Sequence, residues 1–170
     1  GMYTESVKKL TAFRRTQWIA FLARAGLKPE EDTEQTVFVW DEEELIATGS
    51  RRGNLLKCIA VDPSRQGEGL MASIITSLRQ DAFAQGHRHL FLYTKPTNEY
   101  LFRSLFFYPV AKTADVLLME DRKDGIRNFL DSLPTPATGS QIGAAVMNCD
   151  PFTLGHQYLI ESAAAECDHL

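Results

Sequence analysis

This 170-residue sequence predicts a mixed α/β (α+β) fold, a central sheet flanked by helices. Three observations predict it. Short β-branched and aromatic runs follow one another between residues 36 and 61 with only brief turns between them. An apolar stripe with helical spacing precedes those runs and another follows. Between Leu55 and Thr94 a strand, a glycine turn, a helix and a strand succeed one another, the order of a βαβ unit with a parallel pair.

Residues Thr16 to Leu27 place Trp18, Phe21, Leu22 and Ala25 on one stripe, and Gly26 suits the end of that helix. TVFVW (Thr36 to Trp40), LIATGS (Leu45 to Ser50) and LLKCIAV (Leu55 to Val61) then read as an antiparallel meander. The acidic turn at Asp41 to Glu44 and the Arg52-Gly53-Asn54 turn join them. Leu70, Ile74, Ile75, Leu78 and Phe83 mark a helix closed by Gly86, and HLFLYT (His89 to Thr94) is the next strand. A helix over Asn98 to Phe106, a strand DVLLME (Asp115 to Glu120) and a short amphipathic helix over Gly125 to Leu133 complete residues 2–133. Pro134 to Ser140, PTPATGS, breaks all periodicity and reads as a linker. Residues 141–170 open a second domain with a buried strand, IGAAVMN, and a helix beginning near Thr153.

The composition excludes several classes of partner. There are 18 basic and 22 acidic residues, a formal charge of -4, and no run of Lys and Arg that would track a phosphate backbone, so nucleic acid is not expected. No window reaches the roughly 18 apolar residues of a membrane span, and the start lacks the apolar core of a signal peptide, which makes the expected compartment the cytoplasm. Cys58, Cys149 and Cys167 are an odd number without metal-ligand spacing, and the four histidines do not cluster, so no metal site is expected. Cys58, inside an apolar strand, reads as a small buried residue in preference to a nucleophile.

Two motifs carry chemistry. In AVDPSRQGEGLM the chain leaves a strand, turns through Pro63 and enters a helix after Gly69. Such a turn aims successive backbone N–H groups and the positive end of the helix dipole at one spot, an arrangement suited to phosphate, although a plain tight turn has the same outline. The string, with the strands before it, resembles the acyl-CoA-binding core of the GNAT acetyltransferase superfamily. That resemblance implies a CoA or dephospho-CoA-like ligand held by Gln66, Gly67, Glu68, Gly69, Leu70 and Met71. Met71 departs from the family's small residue, and Glu68 places a negative charge where Lys or Gln is usual. LFRSLFF (Leu101 to Phe107) is similar to the family's L-Y-x-x-L-G-F, with Phe102 in place of the proton-donating Tyr and Phe106 in place of Gly. No carboxylate interrupts LLKCIAV to act as base.

The second motif is AAVMNCDPFTLGH, a strand leading through Asn148 and the Asp150-Pro151 turn to Thr153-Leu154-Gly155-His156 at a helix start. It resembles the T/HxGH motif of the nucleotidyltransferase superfamily, whose domain is Rossmann-like. The resemblance implies that Thr153 and His156 stabilise charge during adenylyl transfer from ATP, while Asn148, Asp150 and Gly155 approach the nucleotide. Only the first βα unit of such a domain fits into residues 141–170, so a truncated start is expected here.

The combination resembles the citrate lyase ligase family over nearly the whole chain. That resemblance implies ATP- and acetate-dependent acetylation of the prosthetic-group thiol on the acyl carrier subunit of citrate lyase, with release of AMP and pyrophosphate. The prosthetic group is CoA-like, so the GNAT-like domain is expected to hold this arm with its pantetheine running toward Cys58 and Phe91. Two alternatives stay open: an N-acetyltransferase that moves acetyl from acetyl-CoA to an amine, and a non-catalytic docking module.

Overall fold

The computed structural model describes residues 1–132, which fall into two units, Gly1–Gly86 and one that begins at His87. The first unit is built around a four-stranded antiparallel meander: β1 (Met2–Val7), β2 (Gln35–Asp41), β3 (Glu44–Arg52) and β4 (Leu55–Val61). Strand β1 lies outside the sequence expectation because MYTESV has no apolar alternation. It pairs along β2 from Met2↔Asp41 to Val7↔Thr36 at the margin of the meander, with both faces largely exposed.

Helix α1 (Ala12–Arg24) starts four residues before the apolar stripe because Thr11 caps it, its hydroxyl accepting from the Arg14 N–H at 3.1 Å. It ends as expected at Gly26. The Gly26 N–H bonds the Ala23 carbonyl at 3.0 Å and the Leu27 N–H bonds the Leu22 carbonyl at 2.9 Å, a Schellman closure with Gly26 in the left-handed region. Trp18, Phe21 and Leu22 cover one face of the meander, packing with Phe38, Trp40, Leu45, Cys58 and Ala60.

Helix α2 (Leu70–Ala84) covers the opposite face. Gly49 makes this close approach feasible, since a Cβ there would lie 2.5 Å from Ile74 Cγ2 and 3.2 Å from Leu78 Cδ1. Across from Gly49 the ladder slips: Thr48 pairs Ala60 while Ser50 pairs Lys57, leaving Cys58 and Ile59 opposite one residue. Cys58 occupies this bulge with φ of 52°, so its side chain faces the α1 core.

The second unit holds β5 (Phe91–Thr94), β6 (Tyr108–Lys112) and β7 (Leu117–Glu120), with β7 paired antiparallel to both others. Strand β6 was not legible in YPVAK, where Pro109 interrupts the apolar pattern. The helix expected over Asn98 to Phe106 is confined to α3 (Glu99–Arg103), preceded by a 3-10 turn at Pro96–Asn98. Strand β5 begins two residues after His89, whose Nε2 instead sits 2.8 Å from Glu120 Oε2, with both side chains buried. Helix α4 (Gly125–Ser132) begins at the residue expected for the amphipathic segment, whose last expected residue, Leu133, lies outside the described residues.

Candidate functional site

Strand β4 delivers the chain to Asp62, whose N–H bonds the Ile46 carbonyl at 2.9 Å. The Asp62 carboxylate then caps a 3-10 turn at Pro63–Arg65, accepting from both the N–H and the hydroxyl of Ser64 at 2.9 Å. Those bonds, the backbone one foremost, favour the carboxylate and hold the Asp62 pKa below the ordinary Asp value. Gln66 is extended, Gly67 and Gly69 have φ of 92° and 74°, and Gly69 is the N-cap of α2 without any side-chain cap. The left-handed glycines turn the chain sharply enough to start the helix there.

The turn is open where a ligand would sit. A Cβ built on Gly67 or on Gly69 meets nothing within 4 Å. The first backbone bond of α2 runs from the Ser73 N–H to the Gly69 carbonyl at 3.1 Å, so the N–H groups of Leu70, Met71 and Ala72 precede the helical ladder. No acidic side chain occupies the first helical turn. The Leu70 and Met71 side chains are buried, so Met71 departs from the small residue of the family without projecting over the turn. These groups can accept an anion by backbone donation and dipole alone.

The charge on Glu68 is answered locally. Arg65 Nη1 lies 3.7 Å from Glu68 Oε1, and Arg65 Nη2 donates to Asp41 Oδ2 at 2.6 Å. The hydrogen bond to Asp41 is the chief reason that the guanidinium holds its proton more tightly than usual. The sequence contained no spacing that would pair residues 41 and 65.

A second group of polar residues surrounds the bulge of β4. Lys57, buried on the strand, donates from Nζ to Glu30 Oε1 at 3.2 Å, and the other oxygen of Glu30 lies 3.7 Å from Cys58 Sγ. Glu30 comes from the segment between α1 and β2, so a carboxylate does stand beside LLKCIAV although none interrupts it. A lysine in an apolar strand was the available signal, because a buried ammonium needs an anionic partner. Burial, and after it the Glu30 charge, push the Cys58 thiol up to about 12, in line with its reading as a buried non-nucleophile. Phe102 is fully buried, its ring meeting Phe107 edge-on at 6.4 Å.

Gln66, Gly67, Glu68, Gly69, Leu70 and Met71 are therefore brought together in one turn. Asn148, Asp150, Thr153, Gly155 and His156 lie outside the described residues. Among the described residues no group of three or more His, Cys, Asp or Glu could hold a metal ion, and no helix is long and apolar enough to cross a membrane.

Comparisons with known proteins bear on the same regions. Residues 142–170 match the citrate lyase ligase C-terminal domain, and residues 5–104 match the acetyltransferase (GNAT) family. The chain is 42% identical over 159 residues to a [citrate [pro-3S]-lyase] ligase of Klebsiella pneumoniae, covering 92% of this chain and 46% of that protein. A ligase of the same name from Haemophilus influenzae is 39% identical over 153 residues, covering 88% and 46%. The chain thus spans about half the length of the curated relatives it matches. Among solved structures, an acyl-CoA N-acyltransferase from Pseudomonas aeruginosa superimposes with a TM-score of 0.58 at 13% identity, covering 72% of this chain and 100% of that one. That likeness establishes the acyl-CoA N-acyltransferase fold. With more than half of its length matching the family model, the chain belongs to the acetyltransferase (GNAT) family, joined from residue 142 to a segment that matches the citrate lyase ligase C-terminal domain.

Proposed function

We propose that this chain is the leading part of a cytoplasmic citrate lyase ligase, and that its GNAT-like domain, residues 2–133, holds the CoA-like arm of the citrate lyase acyl carrier subunit. The observation that carries this is the open glycine turn at Gly67 and Gly69, in a chain that also matches the ligase C-terminal domain. A backbone cradle binds a pyrophosphate without needing an acid or a base. The arm supplies the thiol that receives the acetyl group. The chain's own backbone N–H groups from Gln66 to Met71 orient it through the pyrophosphate. In the whole protein the segment after the 134–140 linker would begin the ATP- and acetate-using domain, with Thr153 and His156 stabilising charge and Asn148, Asp150 and Gly155 near the nucleotide.

An amine acetyltransferase is the second reading, and Glu30 beside the bulge of β4 is the observation in its favour, since a carboxylate there could serve as base. Against it, Phe102 offers no proton to a departing thiolate. Capture of the acyl carrier subunit with and without its prosthetic group separates these readings from protein-surface docking. The arm-holding reading expects the modified carrier to bind at least about tenfold more tightly, a difference of ~1.4 kcal/mol. Equal capture of both forms would favour surface docking.

A further inference from the structure

The charges at the glycine turn lead one step beyond the reading that it binds a pyrophosphate, and this step rests on that reading. Arg65 precedes the turn and is held between two carboxylates, Asp41 at the end of β2 and Glu68 between the glycines. Glu44 adds a further negative field around the same guanidinium. Asp62 is engaged with Ser64 and does not compete for it at hydrogen-bond distance. The Arg65 and Asp41 side chains are each about a quarter exposed, 26% and 27%, so water and salt weaken their attraction. A phosphate offers a guanidinium two parallel charge-assisted bonds, whereas Asp41 is engaged here through the bond from Nη2 to Oδ2 at 2.6 Å. The guanidinium lies 3.7 Å from the carboxylate of Glu68, the residue immediately before Gly69, the N-cap of α2.

We propose that Arg65 is a phosphate ligand held in reserve. One phosphate of a pyrophosphate settles on the N–H groups at the start of α2, and Arg65 leaves Asp41 for the other. No proton moves and no bond is made or broken: Asp41 passes to solvent as a carboxylate. The exchange selects a pyrophosphate over a monophosphate, because a single phosphate taken by the backbone leaves nothing to draw Arg65 away from its carboxylates.

The test is calorimetric titration of the 170-residue chain with dephospho-CoA and with 4′-phosphopantetheine, using the parent, Arg65→Met, Asp41→Asn and the double variant. Arg65→Met weakens dephospho-CoA by about tenfold and shifts 4′-phosphopantetheine by less than about twofold. Asp41→Asn tightens dephospho-CoA by roughly threefold or more, and this gain falls below about twofold when Arg65 is Met, the coupling expected if Asp41 acts through Arg65. If Arg65→Met melts below the assay temperature, Arg65→Lys serves instead and weakens dephospho-CoA by an intermediate amount, because it keeps the charge and loses the fork. An equal gain from Asp41→Asn in both backgrounds, or an unchanged affinity in the Arg65 variant, overturns the exchange while leaving the pyrophosphate reading in place. Absence of saturable dephospho-CoA binding by both the parent and Asp41→Asn overturns that reading and this proposal together.

Discussion

Glu30 reaches across from the segment after α1 to accept a hydrogen bond from the buried Lys57 ammonium of β4 at 3.2 Å. The contact ties a loop to the strand that leads into the glycine turn. Breaking a buried pair costs several kcal/mol, but Glu30 retains 29% exposure, which lowers that cost. Glu30→Ala is expected to destabilise the chain by ~1–3 kcal/mol in urea unfolding at neutral pH, with Glu30→Gln losing less. An unchanged midpoint would show that the contact contributes nothing.

The same carboxylate bears on Cys58. With its thiol raised from 9.0 to about 12, chiefly by burial, the thiolate fraction at pH 8 falls about a thousandfold below that of a free cysteine. Alkylation at pH 8 followed by peptide mass analysis is therefore expected to leave Cys58 unmodified in the native chain and modified after denaturation. A raised folded-state value also fixes the sign of the pH dependence: this group's contribution to stability is complete below pH ~9 and is lost as the pH rises toward ~12. Rapid native labelling of Cys58 would contradict the assignment.

Phe106 shows a cost that the fold carries in the open. It has φ of 66° and 73% exposure, and it occupies the position after α3 where the Phe107 N–H bonds the Phe102 carbonyl and its own N–H bonds the Arg103 carbonyl, both at 3.0 Å. That closure is the one Gly26 makes after α1, with a bulky residue in the left-handed region instead. Phe106→Gly is expected to raise stability by up to ~1 kcal/mol, read as a higher melting temperature. A lower one would mean that the exposed ring contributes more than the strain costs.

Absence of a proton donor at Phe102 predicts no turnover of acetyl-CoA on amines above background. A steady release of free thiol near ~1 per second with any amine would contradict this and favour the acetyltransferase reading.

Much of this architecture was legible because apolar period and turn chemistry agreed. LLKCIAV is β4 residue for residue, and Leu70 to Phe83 with Gly86 defined α2 almost to its ends. What escaped had a physical reason. Strand β1 lies exposed at the margin of the meander and gains its order from backbone pairing with β2, which leaves no pattern in its side chains. Strand β6 carries Pro109 at an irregularity in its ladder with β7. In the candidate site the backbone conformation was readable from Gly67 and Gly69, whereas the electrostatics were not. The partners Arg65 and Asp41, or Lys57 and Glu30, are brought together only by the folded meander.

The central claim is that the turn at Gln66 to Met71 holds the pyrophosphate of a CoA-like arm, and calorimetric titration of the chain with dephospho-CoA tests it most directly. The expected result is saturable binding between micromolar and millimolar, about -8 to -4 kcal/mol, tightened by Glu68→Lys. Gly69→Val is expected to abolish it, because φ of 74° is strained for a β-branched residue and its side chain would enter the open space where the phosphate sits. No heat at millimolar ligand, or a Gly69→Val chain that binds as well as the parent, would contradict the account.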